Sequence, residues 1–239
     1  MSCDRQLFEF TPTALRSRIS AGLDERLHVQ YGGGICAPAE WLNFDVSPRL
    51  RLERIPGVRR IFSATIGLLF PPNVRFGDIV RGLPIPDKSA YGVYCSHVLE
   101  HLARDDLSPA LRNTLRILRP GGIFRLVVPD LHWRALRYVA AAASGKDSAA
   151  DQFMSSTNVG RGTRPKSLVS HARAYFGHSP HLWMYDFASL KAGLEDAGFV
   201  AIRRCELGDA CDRMFDLVEE HGRFFDNGER ELAIEAVAP

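Results

Sequence analysis

Four groups of residues have the types and spacing that chemistry needs. Gly32, Gly33 and Gly34 stand together, and residues without a β-carbon let backbone N–H groups approach a ligand closely. Asp45 comes 13 positions after Gly32; an ionised carboxylate only accepts hydrogen bonds, and its two oxygens match the neighbouring hydroxyls of a ribose. Asp78, in F-G-D-I, is either an ordinary turn residue after Gly77 or a candidate acceptor for an adenine amino group, with Ile79 or Val80 against the ring face. The segment from His178 to Asp186, H-S-P-H-L-W-M-Y-D, brings His181 just before an expected helix. A histidine, with an ordinary pKa near 6.5, suits removal of a hydroxyl proton. Asp130, in V-P-D-L, is a second candidate for a base or an orienting group.

Two motifs invite other readings. Gly32 to Ala37 spells G-x-G-x-x-A, the letters of a dinucleotide fingerprint. Pro38 makes a long phosphate-facing helix awkward there, and the 13-residue step to Asp45 falls short of the roughly 20 expected. His97 to His101 spells H-x-x-E-H, the inverted zincin pattern. That pattern needs a longer helix and a third ligand downstream, whereas this segment directly follows a strand, so no metal is expected.

The elements that must position these residues alternate. Strands are expected at Leu27–Tyr31, Trp41–Val46, Asn73–Gly77, Tyr91–Ser96, Ile123–Val128, Val200–Glu206 and Glu231–Val237, each short and mostly closed by Gly, Pro or a polar residue. A helix capped by Thr11 or Thr13 opens the chain and runs to about Leu23. Leu107, Leu111, Leu115 and Leu118 recur at helical spacing before Pro120-Gly121-Gly122. Further helices follow Leu131 and Asp186, the latter stopping at Gly198. An open parallel sheet binds its ligand at the carboxyl ends of its strands; the fourth and fifth strands end at Ser96-His97 and Asp130, so the site belongs there. Residues 144 to 180 lose periodicity and are rich in Gly, Ser, Arg and Lys, as in a cap over the site.

The wording of this middle region, S-H-V-L-E-H-L from Ser96 and R-I-L-R-P-G-G from Arg116, resembles the type 11 group of class I methyltransferases dependent on S-adenosylmethionine (SAM). His181 to Asp186 resembles the family's H-x-W-M-Y-D stretch. The resemblance implies a Rossmann-like, doubly wound α/β fold with a seven-stranded, mostly parallel sheet and an antiparallel C-terminal strand closing one edge. It implies SAM as cofactor, gripped by Gly32, Gly33, Gly34, Asp45, Asp78 and Ile79, with Ser96 and His97 lining the methionine portion. His181 and Asp130 are then the catalytic candidates. The short step from Gly32 to Asp45 suits a cofactor that has no pyrophosphate. The chain departs from the family's wording at Gly33 and at Tyr91, where Asp is common.

Composition narrows the rest. With 239 residues, 46% of them apolar, one α/β core suffices, and 1–239 is expected to be a single domain with a cap at about 144–180. The formal net charge is +2, so no global field favours nucleic acid or an anionic membrane. The place after the fourth strand reads C-S-H-V rather than the N-P-P-Y of base-modifying enzymes. No 18 apolar residues run together, and a cytoplasmic protein, monomer or homodimer, is expected. The five cysteines form no C-x-x-C pair and read as reduced thiols. Arg49, Arg51, Arg54, Arg59 and Arg60 make a basic stretch, read as a solvated helix face or a lip for an anionic substrate. The expected acceptor is a small molecule, at a hydroxyl oxygen, such as a saccharide or cell-surface precursor. The alternatives are a SAM-binding protein without turnover and a nicotinamide-dependent oxidoreductase.

Overall fold

The computed structural model describes residues 26–55, 69–160, 180–226 and 229–239. The helix expected before Leu23, the basic positions Arg59 and Arg60, and most of the expected cap (161–179) lie outside them. The sheet strands are β1 (His28–Tyr31), β2 (Trp41–Asp45), β3 (Val74–Phe76), β4 (Ala90–Ser96), β5 (Leu118–Pro129), β6 (Val200–Arg204), β7 (Phe225–Asp226) and β8 (Glu229–Val237). They run in the order β3-β2-β1-β4-β5-β8-β6, with β7 pairing only with β8. β1 pairs in parallel with β2 on one side and β4 on the other. The order therefore reverses at β1 and β4, and a crevice opens beyond their carboxyl ends. Gly32 follows one of these strands and His97 the other.

The C-terminal strand is antiparallel to its neighbours, but it does not form the edge. β8 lies between β5 and β6, and Leu232, Ala233 and Ile234 are buried on both of its faces. β6, Val-Ala-Ile-Arg-Arg, is largely exposed and takes the edge, where charged side chains discourage further pairing. β5 starts earlier than the expected Ile123, because Leu118 already pairs with Ala90 before an irregularity between Ala90 and Gly92.

The strands' alternation sorts side chains onto two different faces. On one face Val29, Tyr31, Phe44, Val93, Cys95, Phe124, Leu126, Val128 and Ile234 form the main core. Two helices complete it: α2 (Leu107–Ile117), which follows α1 (Pro48–Glu53), and α5 (Phe187–Ala197). Leu107 and Leu111 of one meet Leu190 and Leu194 of the other within that core. Between them in sequence lie α3 (Leu131–Ala143) and α4 (Ala149–Thr157).

The opposite face carries polar residues that are buried yet paired. His28 Nε2 meets Asp212 Oδ2 at 2.8 Å, and Gln30 donates to Asn43 at 3.2 Å. Arg125, fully buried, donates to Glu219 at 2.5 Å, Glu235 at 2.6 Å and Asp209 at 2.9 Å. The segment that covers this face ends in the short α6 (His221–Phe224) and adds Phe215, Val218 and Phe224 to a second apolar cluster with Trp41 and Tyr94. Among the described residues, no helix is long and apolar enough to cross a membrane.

Candidate active site

A cavity of about 1000 Å³ opens where the sheet order reverses. Gly32, Asp45, Asp78, Ile79, His97 and His181 line it; Gly33, Gly34, Ser96 and Asp130 do not. Gly32 sits at φ +75°, and a β-carbon there would fall 1.9 Å from Val98 Cγ2. Only glycine fits both that conformation and that approach. Gly33 is close-packed in another way. Its missing β-carbon would meet Gln30 Nε2 at 1.9 Å, and its carbonyl accepts from Arg223 at 2.7 Å.

Asp45 ends β2 beside this loop. One carboxylate oxygen accepts the N–H of Ser47 at 2.7 Å. Burial pushes its pKa above the usual carboxylate value, against the pull of the Ser47 and Gly34 N–H groups. The N–H of Gly77 donates to the Asp45 carbonyl at 3.1 Å, tying the end of β3 to that of β2. Asp78 accepts from Val80 N–H at 2.9 Å. Ile79 is 4% exposed and belongs to the core as well as to the cavity wall.

At the end of β4, Ser96 is buried and His97 takes φ +54°. Both ring nitrogens of His97 face acceptors: Nδ1 meets Glu100 Oε1 at 3.2 Å and Nε2 meets the Arg223 carbonyl at 3.0 Å. Burial works against its charge, but Glu100 and the Arg223 carbonyl outweigh it, so its pKa is raised. Arg223 thus braces the glycine loop and His97 together. Sequence reading did not single it out, and nothing local in H-G-R-F points to the contact.

The far end of the cavity holds His181. Its segment is pinned by backbone: Leu182 and Trp183 N–H both donate to the Glu100 carbonyl, at 2.7 and 3.1 Å. Its Nδ1 meets the Thr157 carbonyl at 2.7 Å, and its ring stands edge-on to His101 with centroids 5.0 Å apart. Burial lowers its pKa below the ordinary histidine value. Arg137, Gln152, Ser155 and Asn158 share this wall, as do Arg134 and Glu231. The last two form a buried, two-point ion pair at 2.9 and 3.1 Å, with Glu231 pushed up by burial despite Arg134. Neither was anticipated, since a strand start and a helix interior gave no sign of meeting.

Asp130 sits behind this wall without lining the cavity, its carbonyl accepting from Arg134 at 3.4 Å. One of its oxygens caps α3 through the N–H of His132 at 2.9 Å, and the other meets Arg204 at 3.4 Å. Its backbone forms a bridge with the buried Tyr185, which anchors the stretch that follows His181. The H-x-x-E-H segment forms a 3-10 turn at Leu99–His101 rather than the helix a zincin needs.

Residues 34–126 match the sequence model of the family described as "Methyltransferase domain". Over that span the chain is similar to a methyltransferase domain. Among solved structures, the chain is similar to a SAM-dependent methyltransferase from Archaeoglobus fulgidus, with 17% identity, 94% of this chain and 91% of that one covered, and TM-score 0.45. A methyltransferase from Methanosarcina mazei gives 14% identity, 95% and 96% coverage, and TM-score 0.48. The 16S rRNA (adenine(1408)-N(1))-methyltransferase from Catenulisporales acidiphilia gives 17% identity, 99% and 97% coverage, and TM-score 0.46. No curated protein matches the chain.

The site fits SAM on its own terms. The Gly32 backbone, held at φ +75° with Val98 packed where a β-carbon would go, stands beside an acceptor-only carboxylate at Asp45, and both face one cavity. No run of N–H groups at a long helix start follows the glycines, as a pyrophosphate would need: the next helix is α1, after Asp45.

Proposed function

We propose that the protein is a SAM-dependent methyltransferase acting on a hydroxyl oxygen of a small polar acceptor, such as a saccharide. The observation that carries this reading is the polar wall beside His181, made by Arg137, Gln152, Ser155 and Asn158. Hydrogen-bonding side chains in a cleft of this size select polar small molecules. C-S-H-V after the fourth strand and the near-neutral charge favour such an acceptor over nucleic acid.

In this reading the Gly32 backbone and Asp45 hold the ribose, Asp78 takes the adenine amino group, and Ile79 covers the ring. Gly33 and Gly34 keep the loop's shape, Gly33 through Arg223 and Gly34 through Asp45. The chain turn at Ser96 and His97 bounds the methionine end; with both its nitrogens engaged, His97 contributes the edge of its ring. SAM supplies a methyl group already activated by its positive sulfur. The protein's remaining tasks are to align the acceptor oxygen, exclude water and remove one proton. His181 Nε2 takes that proton. Its Nδ1 hydrogen is held by the Thr157 carbonyl, which leaves the lone pair on Nε2, and a lowered pKa keeps the ring neutral near pH 7. Asp130 acts on position rather than on the proton, by fixing α3 and, through the Tyr185 bridge, the His181 segment. Residues 144–180 serve as the acceptor cap of a single domain.

The test is a transfer assay with methyl-labelled SAM against a panel of hydroxyl-bearing sugars, small phenols and RNA. Label on an oxygen of a small acceptor supports the reading; label only on RNA rejects it.

A further inference from the structure

Glu100, His101 and His181 bring one ligand atom each to within 4.8 Å of one another, at the polar end of the cavity, which all three line. Glu100 is fully buried. One of its oxygens engages His97, and Oε2 has no hydrogen-bond partner among the described residues. A buried carboxylate oxygen left unpaired is costly, and a cation is what would satisfy it. Each imidazole is already oriented by a backbone carbonyl: His101 Nδ1 meets Pro180 O at 3.4 Å and His181 Nδ1 meets Thr157 O at 2.7 Å. That arrangement places hydrogen on Nδ1 and the lone pair on Nε2, the outer-shell pattern of metal-binding histidines. The third ligand, His181, arrives by folding from 80 residues after His101, while His97 is spent on Glu100 and the Arg223 carbonyl.

We propose that Glu100, His101 and His181 form a binding site for a divalent transition-metal ion of the zinc or cobalt type. Two imidazoles and one carboxylate are the three-ligand set that leaves a coordination position open to a substrate, and imidazole nitrogen disfavours magnesium and calcium. Bonds of about 2.0–2.2 Å in tetrahedral geometry set ligand atoms roughly 3.3–3.6 Å apart. Binding therefore asks the three side chains, whose ligand atoms lie within 4.8 Å of one another, to draw closer by rotation. The open position faces the acceptor pocket, and an ion held on His181 Nε2 would occupy the lone pair that the proposed base needs, so bound metal should slow methyl transfer; this consequence rests on the methyltransferase reading, whereas the site itself does not.

The test uses the full, tag-free, chelator-treated protein without SAM, titrated with Zn²⁺ by calorimetry and with Co²⁺ by visible absorption. The expected result is one saturable ion per chain, with the strong visible bands of low-coordinate Co²⁺. His101→Ala and His181→Ala should each weaken binding at least about tenfold. Glu100→Gln should do so too, and circular dichroism shows whether that buried variant folds. No saturable binding, or unchanged affinity in folded His101→Ala and His181→Ala, overturns the site. A metal-binding protein that transfers no methyl group to any acceptor would keep the site and overturn the function proposed above.

Discussion

The N–H of Gly32 donates to the carbonyl of Phe44 across 2.9 Å, so the residue that opens the glycine loop is pinned to the one that precedes Asp45. The cradle and the carboxylate consequently move as one unit. Asp45→Ala should weaken SAM binding at least tenfold, about 1.4 kcal/mol or more, measured by calorimetry. Unchanged affinity in a folded variant rejects the ribose assignment.

The pKa of Asp45 gives that assignment a sign. Burial raises it, so the ionised form that accepts ribose hydroxyls is complete only above a raised pKa. SAM affinity should fall, as pH is lowered, at a pH above the usual titration of aspartate. The same shift means that the ionised carboxylate costs stability in the ligand-free protein at neutral pH. Asp45→Asn should therefore be at least as stable as the parent at pH 7 while binding SAM more weakly. A thermal melt that shows clear destabilisation of ligand-free Asp45→Asn would contradict this.

Gly32→Ala puts a methyl group against Val98 and holds alanine at φ +75°. The left-handed backbone alone costs roughly 1–2 kcal/mol, and the collision adds to it. Denaturant unfolding should show the loss, and Val98→Ala in the same chain should recover the part due to collision. SAM binding should stay impaired in both, because alanine at φ +75° strains the loop away from its native path.

His181→Ala should lower turnover without changing SAM affinity, since His181 lines the acceptor end and the cofactor assignments lie elsewhere. Comparison of kcat with calorimetric affinity decides it. Full activity in the variant would remove His181 from the proton transfer.

Arg125 tests the scaffold. It is fully buried with Glu219, whose side chain is 1% exposed, so Arg125→Met leaves a carboxylate stranded. Removing one partner of such a pair costs about 3–5 kcal/mol, read by chemical denaturation. Arg125→Met with Glu219→Leu should recover part of that loss, because the buried pair disappears together while Glu235 and Asp209 keep Arg203 as a partner.

The parts legible in the sequence were those with local signals. Short apolar runs closed by polar residues located every strand of the main sheet order, and Asp186 and Gly198 bracketed α5. Gly32, Asp45 and Asp78 were visible because each directly follows a strand or ends one. What sequence could not show depends on distant segments meeting. Arg223 reaches the Gly33 carbonyl from 190 positions away, and Arg134 finds Glu231 across 97. The inner place of β8 followed from burial on both faces, which alternation alone understated. V-P-D-L allowed Asp130 either a cap or a chemical role, and only its contacts with His132 and Arg204 showed how its oxygens are spent.

The central claim is that the cavity beyond β1 and β4 grips an adenosine that carries a sulfonium rather than a string of phosphates. Calorimetry of the purified protein with SAM, S-adenosylhomocysteine and NAD tests it most directly. The account predicts micromolar or tighter binding of the first two and none of the third. Binding of NAD alone, with both sulfur compounds ignored, would contradict it.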